Sequence, residues 1–251
     1  MAVKRYGWIP DLKDHRDFRY SPEPGVLRLE LPSKVDLRPQ CPPVYNQGTL
    51  GSCTANAITA LYEFTAMEQK VRTQRMSRLF HYYNTRLLMN TVQSDSGASI
   101  RQTFKAGGKY GFCLESTWPY TISRFKDTPI KKCYDFGAGT IITQYARVQQ
   151  DLQSLKLALA QGDPLAFGFS VYESFESRET TETGICPFPA ANERLIGGHA
   201  ILAVGYDDEL QCVIFRNSWG VKWGDRGYGY MPYELITNPE FAADFWTLRK
   251  L

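Results

Sequence analysis

Histidine is scarce in this chain, and the usual punctuation of metal sites is missing. Only three histidines occur among the 251 residues, none in an H-E-x-x-H pattern, and none of the six cysteines stands in a C-x-x-C pair. The spacings by which Cys and His hold zinc are therefore absent, and neither a metal nor a cofactor is expected. No stretch approaches the ~18 consecutive apolar residues of a membrane helix, so no membrane partner is expected. The first residues, MAVKRYGWIPDLKDHRDF, turn charged where a secretory signal would carry its apolar run. No secretory route is expected from the chain itself, which leaves the cytoplasm or export by another path. An excess of one sign of charge is lacking too. Lys and Arg number 29 against 26 Asp and Glu, a net +3, and they are interspersed as in DLKDHRDFR. Such a surface gives no footprint for nucleic acid.

What is present is an ordinary globular composition: 43% hydrophobic, 22% charged and 14% aromatic. The length suits one large domain or two small ones with a real core. Residues 1 to about 30 read as an irregular arm punctuated by Pro10, Pro22, Pro24 and Gly25. From Leu31 to about Gly139 the pattern is mostly helical. One helix is expected to begin at Ser52–Cys53, with Ala57, Ala60, Leu61 and Phe64 on one face; others cover Ser77 to Asn90 and Ile100 to Tyr110, where Gly111 ends the run. A further helix is expected from Gln150 to Gln161, stopped by Gly162. The period then changes. Leu165, Phe167, Phe169 and Val171 alternate as in a half-buried strand, and short strands are expected at His199–Tyr206, Gln211–Asn217, Gly227–Pro232 and Asp244–Leu248. Helices first and strands second predict an α+β protein of two unlike halves, with a cleft between them for an active site.

Three separated segments carry the chemistry. Cys53 follows Gln47-Gly48-Thr49-Leu50-Gly51-Ser52 immediately before a strong helical pattern. A thiol at a helix N-terminus feels the positive end of the macrodipole, which favours its anion. His15 lies in the charged arm and His81 among bulky helical residues, a surface and a packing histidine respectively. His199 is expected to open a strand after Gly197-Gly198, where two residues without side chains leave room for a substrate. Asn217 ends a later strand, placed to present its amide to an imidazole.

Taken together, Gln47 to Cys53, Gly198-His199-Ala200, and Asn217-Ser218-Trp219-Gly220 followed by Trp223-Gly224 resemble the papain family of cysteine peptidases. The Cys-to-His separation, 199 − 53 = 146, lies within the family's range of roughly 130–150. The resemblance runs from about Leu31 to the C-terminus, and includes Leu31 to Arg38, Tyr110-Gly111-Phe112 and Trp118-Pro119-Tyr120. A bacterial, short-armed (xylellain-like) group within the family also shares the Tyr-Gly-Trp-Ile-Pro-Asp arm and Gly-Ser-Cys-Thr.

The resemblance implies a papain-like fold: a helical half (31–140) carrying the nucleophile and an antiparallel, barrel-like half (141–251) carrying His and Asn. It also implies an endopeptidase acting on peptide or protein substrates, expected as a monomer. Cys53 is the implied nucleophile, His199 its base, Asn217 the residue orienting that base and Trp219 its shield. The Gln47 amide and the Cys53 backbone N–H are the implied oxyanion donors. Gly97 and Ala98 would pair with an extended substrate. Ser99, Ile100, Gly168, Gly197, Gly198 and Ala200 would line the cleft and the pocket for the second residue before the cut; being small or apolar, they predict an apolar substrate side chain there.

Four positions depart from the family pattern. Leu50 and the Asp95-Ser96-Gly97 segment lack a pair of cysteines that commonly bridge. Thr54 stands for an aromatic, and Gly198 for a polar residue that would tune the ion pair. Of the other cysteines, Cys113 and Cys133 bracket the Trp-Pro-Tyr loop and form a candidate bridge. The arm, with Tyr6, Trp8, Phe18 and Tyr20 as anchors, is expected to cross or flank the cleft as a short pro-segment, or else to strap the back of the domain. The same triad also suits acyl transfer or deamidation, and a binding protein on a retained fold is the non-enzymatic alternative.

Overall fold

The computed structural model describes residues 6–22, 30–71 and 74–250. Its centre is helix α1, Cys53–Glu68, in which every residue from Cys53 to Ala66 is buried. The sequence suggests a one-faced helix, but α1 is covered all round, with two other helices on one side and the sheet on the other. Helix α2, Arg78–Leu88, starts where Ser77 Oγ accepts from Phe80 N, and α3, Ile100–Tyr110, where Ser99 does the same for Gln102 N. These side-chain caps satisfy amides that the first helical turn leaves open. Gly111, at φ +64°, ends α3 in a conformation that favours glycine.

The strands are β1 (Lys34–Asp36), β2 (Gln144–Arg147), β3 (Leu165–Tyr172), β4 (Leu195–Asp207), β5 (Cys212–Arg216), β6 (Tyr228–Pro232) and β7 (Ala242–Lys250). They form one antiparallel sheet in the order β2-β7-β3-β4-β5-β6, with β1 also paired to β4. The sheet is not closed; β2 and β6 stand at its ends. Strand β4 organises the molecule. Ala200, Leu202 and Val204 pack towards α1 with Ile58, Leu61 and Phe104, whereas Ile201 and Ala203 join Phe167, Leu155 and Phe245 on the opposite face. This alternation is the period-2 signature of a strand buried on both faces.

Helix α4 (Lys131–Gly137), α5 (Leu152–Ala160), α6 (Arg178–Thr183) and α7 (Tyr233–Thr237) complete the architecture. Of these only α5, capped by Asp151, shows in the sequence pattern. The rest are too short for periodicity to reveal. Cys113 and Cys133 share a buried cluster with Leu50, Phe80 and Trp118, and their thiols are in hydrogen-bond contact. They remain thiols, as do the other four cysteines, so the expected bridge is not formed.

Candidate active site

The turn into α1 is braced from three sides. Gly51 N–H donates to both carboxylate oxygens of Asp95 at 3.1 Å, and Tyr82 Oη donates to the same carboxylate at 2.6 Å. This tie joins the segments that the missing pair of cysteines would have bridged. Ser52 Oγ meets Tyr120 Oη at 2.6 Å, and that hydroxyl donates to Gln47 O at 2.9 Å. Asn56 Nδ2 donates back to Ser52 O at 2.9 Å. A side chain set on such a turn has little freedom to wander.

His199 lies four residues inside β4 rather than at its start, opposite Phe169 of β3. The strand begins earlier than the sequence suggests because Gly197 and Gly198 still pair with Val171 and Ser170. His199 Nε2 is 2.9 Å from Asn217 Oδ1, and both residues are buried. The amide is held in that orientation by Ser218 N–H, which donates to the same oxygen at 2.8 Å. Trp219 stacks on the imidazole with centroids 4.8 Å apart and planes at 24°. Gln47 is tied to the same loop. Its Oε1 accepts from Ser218 Oγ at 2.5 Å and its backbone N–H donates to Ser218 O at 2.8 Å, while Nε2 donates to Leu50 O at 2.9 Å. The histidine, its amide partner and the glutamine that precedes the cysteine thus form one connected polar set.

The other histidines stand apart. His15 is exposed. His81 is buried between α1 and α3, with Nδ1 3.2 Å from Thr59 Oγ1 and Nε2 2.8 Å from Thr103 O, and burial lowers its pKa to about 4.

The arm runs through the cleft. Ala98 N–H donates to Gly7 O at 2.7 Å, Ile9 N–H to Ala98 O at 3.0 Å, and Trp8 N–H to Gly198 O at 2.9 Å. Trp8 and Ala98 form a parallel bridge. The glycines of the cleft are shaped to this occupant. A Cβ on Gly97 would stand 2.3 Å from Gly7 O, one on Gly168 1.9 Å from the Trp8 indole, one on Gly197 2.7 Å from the Tyr6 ring, and one on Gly198 2.8 Å from Trp8 O. The missing polar side chain at Gly198 is thus explained by the backbone of Trp8. Ser99 and Ile100 contribute differently: Ser99 caps α3, and Ile100 lies in the core cluster on which Trp8 packs. Ala200 is buried in that cluster, and its backbone hydrogen-bonds Cys53.

The thiol at the head of α1 is enclosed. Cys53 is wholly buried, and that burial pushes its pKa up to about 11, against hydrogen bonds from the backbone of Ala200, Gly7, Thr54 and Cys53 itself. Desolvation therefore outweighs the helix N-terminus in this arm-closed state, and the sulfur is a neutral thiol near pH 7.

Behind Ile9 the arm is held by charge. Arg147 reaches Asp11 at 3.0 Å, Asp17 at 3.1 Å and Asp244 at 3.2 Å, and Arg101 pairs with Asp17 at 2.6 Å. Asp11 N–H donates to Asp244 Oδ2 at 2.7 Å, and Trp246 Nε1 donates to Asp11 Oδ2 at 2.9 Å. Further on, Tyr20 N–H donates to Arg147 O at 2.8 Å, and the Tyr20 hydroxyl meets Gln161 and Asp163. Phe18, expected as an anchor, is 76% exposed, and it ties the arm through its carbonyl, which accepts from Arg147 N–H at 2.8 Å. None of Asp11, Asp17, Arg101, Arg147 or Asp244 stands out in the sequence. The acidic repeat in DLKDHRDFR was the available signal, and it reads equally as a solvated surface.

Known proteins share this fold. Residues 31–239 match the model of the papain family cysteine proteases. The crystal structure of xylellain, a cysteine protease from Xylella fastidiosa, superposes with a TM-score of 0.91 at 43% identity, covering the whole of both chains. A peptidase C1-like protein of Acanthamoeba polyphaga mimivirus is 41% identical over 272 residues, spanning 99% of this chain and 88% of its own. Cysteine proteinase 2 of Entamoeba histolytica is 28% identical over 89% of this chain and 70% of its own length. By this match, by these relatives and by the fold they share, the chain belongs to the papain family of cysteine proteases.

Proposed function

We propose that the chain hydrolyses peptide bonds through Cys53 and His199, and that the arm, residues 1–30, is a short pro-segment that keeps this chemistry closed. The body then divides into a helical half, 31–140, carrying the nucleophile, and a β-rich half, 141–251, carrying His199 and Asn217.

With the arm displaced, water and the imidazole regain access to the sulfur, and the proton passes from Cys53 to His199. The thiolate attacks the substrate carbonyl carbon. The oxygen gains negative charge and is stabilised by the Gln47 amide and the Cys53 backbone N–H. Collapse breaks the C–N bond as His199 gives its proton to the leaving amine. A thioester remains on Cys53. His199 then takes a proton from water, the hydroxide attacks the thioester, and the acid product leaves with the thiolate restored. Asn217 keeps the imidazole turned so that the nitrogen opposite Nε2 serves the sulfur. Trp219, stacked on the ring, lowers the local dielectric and strengthens that hydrogen bond.

The observation that carries this reading is the 2.9 Å bond from His199 to Asn217 under Trp219, on the strand whose Ala200 hydrogen-bonds Cys53. It is tested in full-length chain carrying Gly7→Val. A Cβ at Gly7 would stand 1.9 Å from Gly51 O, so this substitution drives the arm out of the cleft. Peptide hydrolysis by that chain is expected to fall by about a thousandfold or more when Cys53→Ala or His199→Ala is added. Undiminished hydrolysis in either double variant would overturn the assignment.

A further inference from the structure

Gly7 of the arm passes between two backbones. A Cβ on Gly7 would stand 1.9 Å from Gly51 O, and a Cβ on Gly97 would stand 2.3 Å from Gly7 O. Gly51 belongs to the turn that leads into α1 at Cys53, and Gly97 to the loop that leads into α3. These two walls of the cleft share no covalent link, since Leu50 and the Asp95-Ser96-Gly97 segment lack the pair of cysteines that commonly bridge.

A single carboxylate joins them instead. Gly51 N–H donates to both Asp95 oxygens at 3.1 Å. Oδ1 also accepts from Tyr82 Oη at 2.6 Å, and that hydroxyl accepts from Gly97 N–H at 3.1 Å. The path from wall to wall therefore runs from Gly51 N–H through Asp95 and Tyr82 to Gly97 N–H. The arm supplies none of its donors or acceptors. Hydrogen bonds to an ionised acceptor are shorter and stronger than neutral ones, which suits a tie that stands in for a bridge.

The tie is itself anchored. Tyr82 and Arg86 lie one turn apart on α2, and both are buried. The Arg86 guanidinium lies 4.2 Å from the centre of the Tyr82 ring and donates to Val92 O at 2.7 Å and Ser94 O at 3.0 Å. The Ser94 carbonyl immediately precedes Asp95, so a helix sets where the carboxylate stands. Gly51 is fitted to it as well: a Cβ there would stand 3.1 Å from Asp95 Oδ1.

We propose that Asp95 is a positioning residue for peptide hydrolysis. It holds the turn that delivers the Cys53 sulfur and backbone N–H, and through Tyr82 it fixes the Gly97 wall at a set distance from that turn. The inference rests on the peptidase reading above. The two ends of the tie predict different kinetics. Loss of the Gly51 end displaces the nucleophile, and a misplacement of about 1 Å costs about a hundredfold in rate. Loss of the Gly97 end alone loosens a wall of the cleft, which weakens substrate binding and raises KM.

The test uses full-length Gly7→Val as parent, a fluorogenic peptide, and thermal unfolding to establish that each chain is folded. Adding Asp95→Ala should lower kcat by about tenfold or more. Adding Asp95→Asn, which keeps an acceptor for Gly51 N–H, should hold kcat within about threefold of the parent. Adding Tyr82→Phe should likewise hold kcat within about threefold while KM rises by about threefold or more. A kcat for folded Asp95→Ala within about twofold of the parent would overturn the proposal. So would Asp95→Asn as slow as Asp95→Ala, because the acceptor would then not matter. If Asp95→Ala does not fold, Tyr82→Phe decides, and a fall in kcat with KM unchanged would overturn the proposal. No cleavage by the parent would overturn the peptidase reading, and this proposal with it.

Discussion

The two parts of the arm hold the body by different physics. From Tyr6 to Ile9 the contacts are chiefly backbone hydrogen bonds and close approach to glycines 51, 97, 168, 197 and 198, with two side-chain bonds added, Tyr6 Oη to Glu176 and Trp8 Nε1 to Asp244. From Asp11 to Tyr20 they are chiefly ion pairs and side-chain hydrogen bonds, centred on Arg147 and its three carboxylates, with backbone bonds joining Phe18 and Tyr20 to the same arginine. The front part is a steric fit that a single added carbon disrupts. The rear part is an electrostatic clasp, in which the Asp11 side chain is wholly buried and accepts from Arg147, Trp246 and the Arg101 backbone N–H. A plug of the first kind closes the site; a clasp of the second kind supplies the local concentration that keeps it there.

Removal of the clasp's centre gives the largest expected effect on stability. Arg147→Ala leaves Asp11, Asp17 and Asp244 to share only Arg101 and neighbouring donors, and should cost about 3–5 kcal/mol, as stranded buried charges do. Urea unfolding of full-length protein measures it, and a loss below about 1 kcal/mol would mean that the rear part is not held by charge.

The front part predicts a pH dependence. Burial raises the Cys53 pKa from its ordinary 9.0 to about 11. The closed state thus favours the neutral thiol. Relative to the unfolded chain, the stability this group contributes is complete below about pH 9 and is lost as pH rises towards 11. Alkylation of Cys53 in wild type should therefore climb steadily up to about pH 11, whereas in Gly7→Val it should level off at lower pH. Superimposable profiles would show that the arm does not govern the thiol.

Smaller effects sharpen the contrast between the two aromatics of the rear part. Tyr20→Phe removes a hydroxyl that meets Gln161, Asp163 and Arg249, and should cost about 1 kcal/mol in thermal unfolding. Phe18→Ala, at an exposed side chain, should change stability by less than about 0.5 kcal/mol. Equal losses would erase the distinction.

The sequence made the candidate site legible because its parts are local. The helix start at Cys53, the bounds of α3, the glycines before His199 and the Asn-Ser-Trp-Gly turn are each readable in a window of a few residues. What escaped notice is long-range. Asp244 meets Asp11 across 233 residues of chain, and Arg147 meets Asp11 across 136. Period and motif carry no information about such pairings. The exposure of Phe18 escaped for a related reason: an aromatic in an irregular arm has no periodicity to tell which face it presents. The raised pKa of Cys53 was hidden as well, since the helix terminus that favours a thiolate is visible in sequence and the arm that buries the sulfur is not.

The most direct measurement is the rate at which an epoxysuccinyl peptide labels full-length wild type and full-length Gly7→Val, read by intact mass with Cys53→Ala as control. The account predicts one adduct on each, absent in Cys53→Ala, formed at least tenfold faster on Gly7→Val. Equal rates on the two chains would contradict it, because the arm would then not be what closes the site.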